Sequence, residues 1–194
     1  MGLAEVRQFL KENIKAESKN YFHEIEDSYL EQVVENWFND RKNYDGRWSV
    51  IEKKIPSVGK VLDMAAGCGT FVFYGLHHVY YVIGVEPETW KQEYQKRKIL
   101  ASGYSVDWNQ KIIAAYGEAL PFESQTFDLV TTYQTLEHVS DVKSCISEML
   151  RVLKPGGVLY LRAPDYNSFY EPHYRLPFLP QMNRALATKY LKLL

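Results

Sequence analysis

The stretch Val61-Leu62-Asp63-Met64-Ala65-Ala66-Gly67-Cys68-Gly69-Thr70 sets the fold of this chain. A short apolar run ends in a carboxylate, and two glycines that flank a single residue follow. This order predicts a buried strand and then a tight turn, because glycine permits a close approach that a Cβ would block. The dinucleotide fingerprint needs a further glycine three residues beyond Gly69, where Val72 stands. The stretch therefore argues against a nicotinamide enzyme.

Short apolar runs alternate with helical stretches on the C-terminal side of Gly59. The predicted strands are 60–64, 80–85, 111–115, 127–132 and 158–163, and the predicted helices are 71–78, 89–101 and 142–153. Strands separated by helices indicate right-handed parallel crossovers, and apolar runs without polar alternation indicate strands covered on both faces. We therefore predict an α/β fold with a Rossmann-like, doubly wound, mostly parallel sheet between two helical layers (αβα). Ligands bind such sheets beyond the carboxyl ends of the strands, at the switch point.

The first part of the chain has helical patterns only. Leu3, Val6, Leu10 and Ile14 share one helical face, a second pattern runs from Phe22 and Ile25 to Phe38, and a short third helix is expected at 48–54. So few residues cannot bury both faces of a separate core. We therefore expect residues 1–57 to form an N-terminal helical cap on a core of residues 58–164, followed by a loop and a terminal amphipathic helix in residues 165–194.

Composition and charge exclude several classes of protein. The chain has 194 residues, 46% of them hydrophobic, and its 23 basic and 24 acidic side chains leave a net charge of -1. This balance gives no general attraction for nucleic acid. Two cysteines are too few for a disulfide framework, and the charged N-terminus does not resemble a signal peptide, so we expect a cytoplasmic protein. No apolar run approaches the roughly 18 residues of a transmembrane helix.

Glu86 is the acidic residue that follows the second predicted strand. It lies 23 residues after Asp63, close to the offset of about 20 residues expected for a carboxylate that binds ribose hydroxyls. The alternative is an ordinary acidic residue at a helix N-terminus, which the helix dipole favours.

Five segments together resemble the class I S-adenosylmethionine-dependent methyltransferases. They are VLDMAAGCGT (61–70), GVEPE (84–88), GEALPFESQTFDLV (117–130), LEHVSD (136–141) and EMLRVLKPGG (148–157), in this order with short connections. The resemblance covers roughly residues 58–164. It implies S-adenosyl-L-methionine as cofactor and direct methyl transfer to a small molecule, chemistry that needs neither a metal nor a covalent enzyme intermediate.

The resemblance also implies a cofactor site. The glycine-rich motif, which meets the methionine and ribose portions of the cofactor, is matched by Asp63, Ala65, Gly67 and Gly69, and Glu86 matches the residue that binds the ribose hydroxyls. The segment that flanks adenine is matched by Tyr116, Gly117, Glu118 and Ala119, and the end of the fourth strand, beside the methionine moiety, by Tyr133 and Gln134. Two positions depart from the family pattern: Ala65 replaces the first glycine, and Tyr116 replaces a frequent aspartate.

The residues offer two candidates for a catalytic base. His138 follows the fourth strand, although a lone histidine there is often a capping or packing residue. His173 lies beyond the fifth strand, in a polar and aromatic stretch that is either an acceptor pocket or a surface loop. The adjacent His77 and His78 have no suitable partner set, so no metal site is expected.

The C-terminal region bears on the acceptor. FYEPHYRLPFLP (169–180) resembles the segment after the fifth strand in methyltransferases of cell-surface sugars and lipids, which suggests a sugar or lipid precursor on this acceptor-side loop. Five tyrosines after strand ends are expected to line the acceptor cleft: Tyr116, Tyr133, Tyr166, Tyr170 and Tyr174. The basic terminal helix either packs on the domain or a second subunit, or makes peripheral contact with an anionic membrane surface.

Residues 165–194 show no strand pattern, although class I methyltransferases usually end their sheet with two antiparallel strands. These last strands are therefore expected to be missing. The exposed edge would favour completion by the terminal helix or by a second chain, giving a homo-oligomer. Since the catalytic signature is weak, a truncated, inactive cofactor-binding or interaction module is the alternative function.

Overall fold

The computed structural model describes residues 1–18, 26–55, 57–165, 167–171, 176–177 and 182–192. In chain order the helices are α1 (Leu3–Ser18), α2 (Asp27–Phe38), α3 (Arg47–Lys54), α4 (Thr70–His77), α5 (Thr89–Ser102), a 3-10 helix (Val106–Gln110), α6 (Val142–Val152) and α7 (Arg184–Leu191). The strands are β1 (Val61–Met64), β2 (Val82–Val85), β3 (Ile112–Ile113), β4 (Phe127–Tyr133), β5 (Leu153–Arg162), β6 (Tyr170–Glu171) and β7 (Leu176–Pro177).

Five parallel strands form the main sheet, in the order β3-β2-β1-β4-β5. The chain runs outward from β1 through β2 to β3 and returns to β4 on the other side, so the switch point lies between β1 and β4. Every residue of β1 is buried, as expected for a central strand that helices cover on both faces. The predicted doubly wound α/β sheet is confirmed.

Helices pack on both faces of this sheet. On one face, Trp48 of α3 stacks on Phe71 of α4, with ring centroids 4.5 Å apart, and both join a cluster that contains Val61 of β1. On the other face, Met149 of α6 packs with Leu62 of β1. The neighbouring residues Val61 and Leu62 therefore point to opposite helical layers, as the alternation of a strand requires.

The N-terminal helices share one apolar cluster with the core. Val6 and Leu10 of α1 and Leu30 of α2 are buried together with Tyr94 of α5 and with Cys68 of the β1–α4 loop. The spacing of four residues between Val6 and Leu10 places both on one face of α1. The helices predicted as a cap therefore cover α5 and the glycine-rich loop; the residues 19–25 between them, including Phe22 and Ile25, lie outside the described part.

Two elements differ from the prediction. β5 begins at Leu153 rather than at 158, because Phe127 pairs with Leu153 and Leu129 with Val158, so that the Lys-Pro-Gly-Gly segment is a bulge within the strand rather than a turn before it. The expectation of no strand after residue 165 is also wrong: β6 and β7 form an antiparallel pair. A two-residue strand is too short to show the alternation of apolar and polar residues by which a strand is predicted.

This pair forms a sheet of its own, so β5 is an edge strand of the main sheet within the described residues. The predicted terminal helix is present as α7, where the side chain of Asn183 accepts a hydrogen bond from the backbone N–H of Leu186. The side chain of Leu186 is 55% exposed. No helix in the described ranges is long and apolar enough to cross a bilayer.

The shared cluster predicts that α1 unfolds with the core. Leu10→Ala should lower the free energy of unfolding by about 2–5 kcal/mol, because it leaves a cavity where a fully buried side chain packs. Urea unfolding followed by circular dichroism measures this. Leu100→Ala is the matched control, since Leu100 of α5 is 72% exposed. Equal unfolding midpoints for the two variants would contradict the prediction.

Candidate functional site

The β1–α4 loop at the carboxyl end of the central strand alternates left-handed residues. Ala65, Gly67 and Gly69 have φ angles of 63°, 57° and 80°. A Cβ on Gly69 would lie 2.8 Å from Ile112 Cδ1, whereas a Cβ on Gly67 would meet no atom within 4 Å. Gly67 therefore faces open space, and its glycine is favoured by its positive φ alone. Alanine at position 65, where the family often has glycine, adopts a left-handed backbone, and this conformation costs a non-glycine residue about 1–2 kcal/mol.

Glu86, directly after β2, is buried and fixes this loop. Its Oε2 accepts a hydrogen bond from the backbone N–H of Gly67 at 2.7 Å, and its Oε1 accepts one from the N–H of Glu88 at 3.0 Å. Burial raises the pKa of Glu86, although these two N–H groups and nearby Lys91 act in the opposite direction. A carboxylate has about four acceptor positions, so Glu86 retains capacity for two further donors.

A buried ion pair occupies the switch point. Arg47, at the start of α3, donates from Nη1 to Asp63 Oδ1 at 2.6 Å and from Nε to Asp45 Oδ2 at 2.7 Å. Its guanidinium carbon lies 4.0 Å from the ring centroid of Phe71 and 5.5 Å from that of Tyr133. Arg47 thus brings together the ends of β1 and β4, which lie on either side of the switch point.

Burial destabilises the ionised form of Asp63, and Arg47 stabilises it. Burial raises the pKa of this carboxyl from 3.8 to about 6, even though Arg47 lowers it. One oxygen, Oδ2, is buried without a hydrogen-bond partner. For Arg47, burial alone would lower the pKa, but Asp63 and Asp45 outweigh it and raise the pKa. Among the described residues, Arg47 is the cation that pairs with Asp63 and stabilises its charge.

The end of β4 carries two predicted site residues. The ring of Tyr133 has a second cation close to it, because the guanidinium carbon of Arg162 is 5.1 Å from its centroid. Gln134 is exposed with a φ of 52°, and its N–H donates to the carbonyl of Arg162 at 2.8 Å. His138 follows with a side chain that is 57% exposed.

The segment 116–119 follows β3. Tyr116 is 67% exposed, and Gly117 packs so closely that a Cβ would lie 2.6 Å from Met64 Sδ. Glu118 Oε1 accepts from the N–H of Ser140 at 3.0 Å. Backbone N–H groups, first its own and then those of Ser140 and Asp141, lower the pKa of Glu118. The bonds from Ser140 and Asp141 tie the segment to the start of α6. Ala119 is exposed.

Four further predicted residues belong to the C-terminal region. His173, Tyr166 and Tyr174 fall outside the described residues, and Tyr170 lies on the separate β6–β7 pair. Cys68 is buried, and burial raises the pKa of its thiol well above the usual value, in keeping with a small packing residue. Within the described ranges no group of three His, Cys, Asp or Glu side chains is placed to hold a metal ion.

Sequence reasoning missed three residues of this site. Arg47 lies in a segment that predicts only a turn and a helix start, and nothing there links it to Asp63. Gln95, one turn inside α5, donates to the carbonyl of Gly67 at 2.6 Å. Glu137 directly precedes His138 and has no predicted role, although its buried carboxylate is the more unusual group.

Residues 62–161, just over half of the chain, match the family described as "Methyltransferase domain". The chain is 30% identical to the ubiquinone biosynthesis O-methyltransferase of Pseudomonas fluorescens (strain SBW25) over 132 residues, which cover 68% of this chain and 50% of that protein. It is 34% identical to the ubiquinone/menaquinone biosynthesis C-methyltransferase UbiE of Desulfotalea psychrophila over 120 residues, 58% of this chain and 46% of that protein. The chain thus spans about half the length of these curated relatives.

Among solved structures, the PH0226 protein from Pyrococcus horikoshii OT3 superimposes with a TM-score of 0.53 and 26% sequence identity, covering 63% of this chain and 59% of that one. This likeness is one of fold.

The ion pair at the switch point predicts a pH-dependent effect of losing Arg47. Folding raises the pKa of Asp63 to about 6, so the contribution of this group to stability is present below about pH 4 and is lost as pH rises through about 6. Arg47→Gln removes the cation that offsets the cost of burying ionised Asp63. We expect the free energy of unfolding to fall by about 3–5 kcal/mol at neutral pH and by clearly less near pH 5, where Asp63 is mostly protonated.

Urea unfolding of both proteins at the two pH values measures the difference. Arg97→Gln is the control, because Arg97 pairs with Glu93 on the partly exposed surface of α5 and such pairs contribute about 0–1 kcal/mol. A cost for Arg47→Gln that is the same at both pH values would contradict the assignment.

Proposed function

The chain belongs to the class I S-adenosylmethionine-dependent methyltransferases, and we propose that it transfers a methyl group to a small-molecule acceptor at the carboxyl ends of β1 and β4. The observation that carries this proposal is the pairing of Glu86 with the N–H of Gly67 beside an open glycine-rich turn. A buried carboxylate with spare acceptor capacity at this place suits the hydroxyl groups of a ribose.

The residues present fit the family's cofactor, S-adenosylmethionine. Gly67 leaves space where a side chain would stand. We assign the ribose hydroxyls to Glu86 and the methionine portion to the loop and to Tyr133 with Gln134. The adenine is assigned to residues 116–119, where Tyr116 offers an exposed ring in place of the aspartate that the family often has.

Methyl transfer requires little of the protein beyond positioning the two reactants. The bound cofactor supplies a methyl group on a positively charged sulfur, which is already a good leaving group. Holding two reactants in line can contribute about 7–11 kcal/mol toward the barrier. The ion pair of Arg47 with Asp63 keeps the ends of β1 and β4 in fixed relation, which is the structural requirement for such alignment.

Two acceptor classes have support. The names of both curated relatives concern ubiquinone or menaquinone biosynthesis, which favours a quinone precursor as the first class to test. A sugar or lipid precursor rests on residues 169–180, of which the structure describes only part. No described feature favours an inactive binding module.

The direct test incubates the purified chain with S-adenosylmethionine and extracts that contain quinone, sugar and lipid precursors. Mass spectrometry then searches for products that are heavier by one CH₂ group. We expect methylated product from at least one class. Binding of S-adenosylhomocysteine by calorimetry without any product would contradict methyl transfer, and no binding at millimolar ligand would contradict the cofactor site as well.

Glu86→Ala should weaken binding of S-adenosylhomocysteine by about 10- to 100-fold, because hydrogen bonds to a charged group contribute about 1.5–3 kcal/mol each. Isothermal titration calorimetry measures the affinity. Glu93→Gln is the matched control, since its side chain pairs with Arg97 on the outer surface of α5 and should leave the affinity unchanged. An unaltered affinity for Glu86→Ala would refute the ribose assignment.

A further inference from the structure

Glu137 is a buried carboxylate without a hydrogen-bond partner. Its side chain is only 7% exposed, and neither Oε1 nor Oε2 has a hydrogen bond. Burying an ionised group without compensation costs several kcal/mol. Buried polar groups in proteins are nearly always hydrogen-bonded, so a carboxylate with both oxygens unsatisfied points to a ligand that supplies the missing donor.

The position of Glu137 is close to the proposed reaction centre. It lies four residues after Tyr133, in the turn that leaves the carboxyl end of β4 at the switch point, where His138 N–H donates to the carbonyl of Thr135 at 2.8 Å. His138 Nε2 is 4.0 Å from Glu137 Oε1. The imidazole therefore lies between the buried carboxylate and solvent, with more than half of its side chain exposed.

We propose that Glu137 is the catalytic base of this enzyme and that its acceptor is a neutral or anionic hydroxyl compound. The inference rests on the proposed function and deepens it, because it names the nucleophilic atom as an oxygen. His138 then acts as a positioning residue that passes the proton from the carboxylate to solvent.

The proton and electron balance of this step is complete. The acceptor O–H bond breaks as its proton moves to a carboxylate oxygen of Glu137, and the oxygen lone pair forms the new O–CH₃ bond. The C–S bond breaks, and its electron pair stays on sulfur, which becomes a neutral thioether. Glu137 is restored when the proton leaves through His138 to water.

The charges around the site decide between acceptor types. The guanidinium groups of Arg47 and Arg162 lie 5.5 Å and 5.1 Å from the ring centroid of Tyr133; that of Arg47 is buried and paired with two carboxylates, whereas Arg162 is exposed. An ammonium acceptor would enter against the charge of Arg162. A hydroxyl compound supplies the donor that Glu137 lacks, and an acidic group elsewhere on it would be attracted by Arg162.

The test compares acceptors and variants of the full chain. Wild type is assayed with a panel of matched alcohols, phenols, amines and thioethers, with S-adenosylmethionine as methyl donor. We expect methylation of hydroxyl compounds, and Glu137→Gln should lower kcat by about 10²- to 10⁴-fold while the affinity for S-adenosylhomocysteine is unchanged. Glu123→Gln, a change at an exposed carboxylate in the loop before β4, should retain the wild-type kcat.

Two readouts separate catalysis from a structural role. Formate added to Glu137→Ala should restore part of the lost kcat, because a small carboxylate can enter the space that the side chain leaves. The urea midpoint of Glu137→Gln should equal or exceed that of wild type, since the change replaces a buried carboxylate that has no hydrogen bond with a neutral group. A residue retained for folding would show a lower midpoint and no rescue.

The outcomes that overturn the inference differ from those that overturn the function. Wild-type kcat in Glu137→Gln, or methylation of amines or thioethers in preference to hydroxyl compounds, contradicts the role of Glu137 and leaves methyl transfer standing. Loss of activity in Glu137→Gln together with weaker S-adenosylhomocysteine binding contradicts it as well. Absence of any methylated product from wild type refutes the proposed function, and the inference falls with it.

Discussion

The buried ion pair between Arg47 and Asp63 connects the parts of this molecule that must stay in register. Arg47 belongs to α3, Asp63 to the central strand β1, and the rings of Phe71 and Tyr133 against the guanidinium belong to α4 and β4. Removing two charges from water is expensive, and the attraction between them repays this cost only when the geometry is good. The planar guanidinium meets that condition by binding two carboxylates at once, Asp45 and Asp63.

The glycine-rich turn is held from two other directions. Glu86 accepts the N–H of Gly67, and Gln95 donates to the carbonyl of the same residue. One peptide segment is thus fixed by side chains from the end of β2 and from α5, which offsets the strain of the left-handed backbone at Ala65. A turn that is already fixed loses little entropy when a ligand binds, and this preorganisation favours affinity.

Much of the fold could be predicted from the sequence, because periodicity and turn residues are local signals. β1, β4 and α6 were located within a few residues, since buried strands are continuous apolar runs and the apolar face of α6 repeats with helical period. The start of β5 was misplaced because Pro155 and the two glycines that follow it have the composition of a turn, whereas the pairing of Phe127 with Leu153 extends the strand across them.

The residues of the site likewise fall into those that the sequence predicts and those that only the folded structure shows. Glu86 and the glycine-rich turn could be found because their spacing along the chain is fixed by a strand-turn-helix unit. Arg47 could not, since its contact with Asp63 spans 16 residues and that with Thr131 spans 84, and only the assembled sheet creates them. The isolation of Glu137 is likewise a property of its surroundings, because no sequence pattern shows that a carboxylate lacks donors.

The position of Cys68 in the shared apolar cluster links the reactivity of its thiol to the motion of α1 and α2. The thiol sits inside the glycine-rich turn and is covered by α1 and α2, so a reagent in solution reaches it only when those helices separate from the core. Its reactivity is suppressed twice, by shielding and by the raised pKa that burial imposes. The rate of alkylation at this single sulfur therefore reports how often the helical cover opens over the turn. Alkylation of Cys68 is thus a chemical measure of that motion.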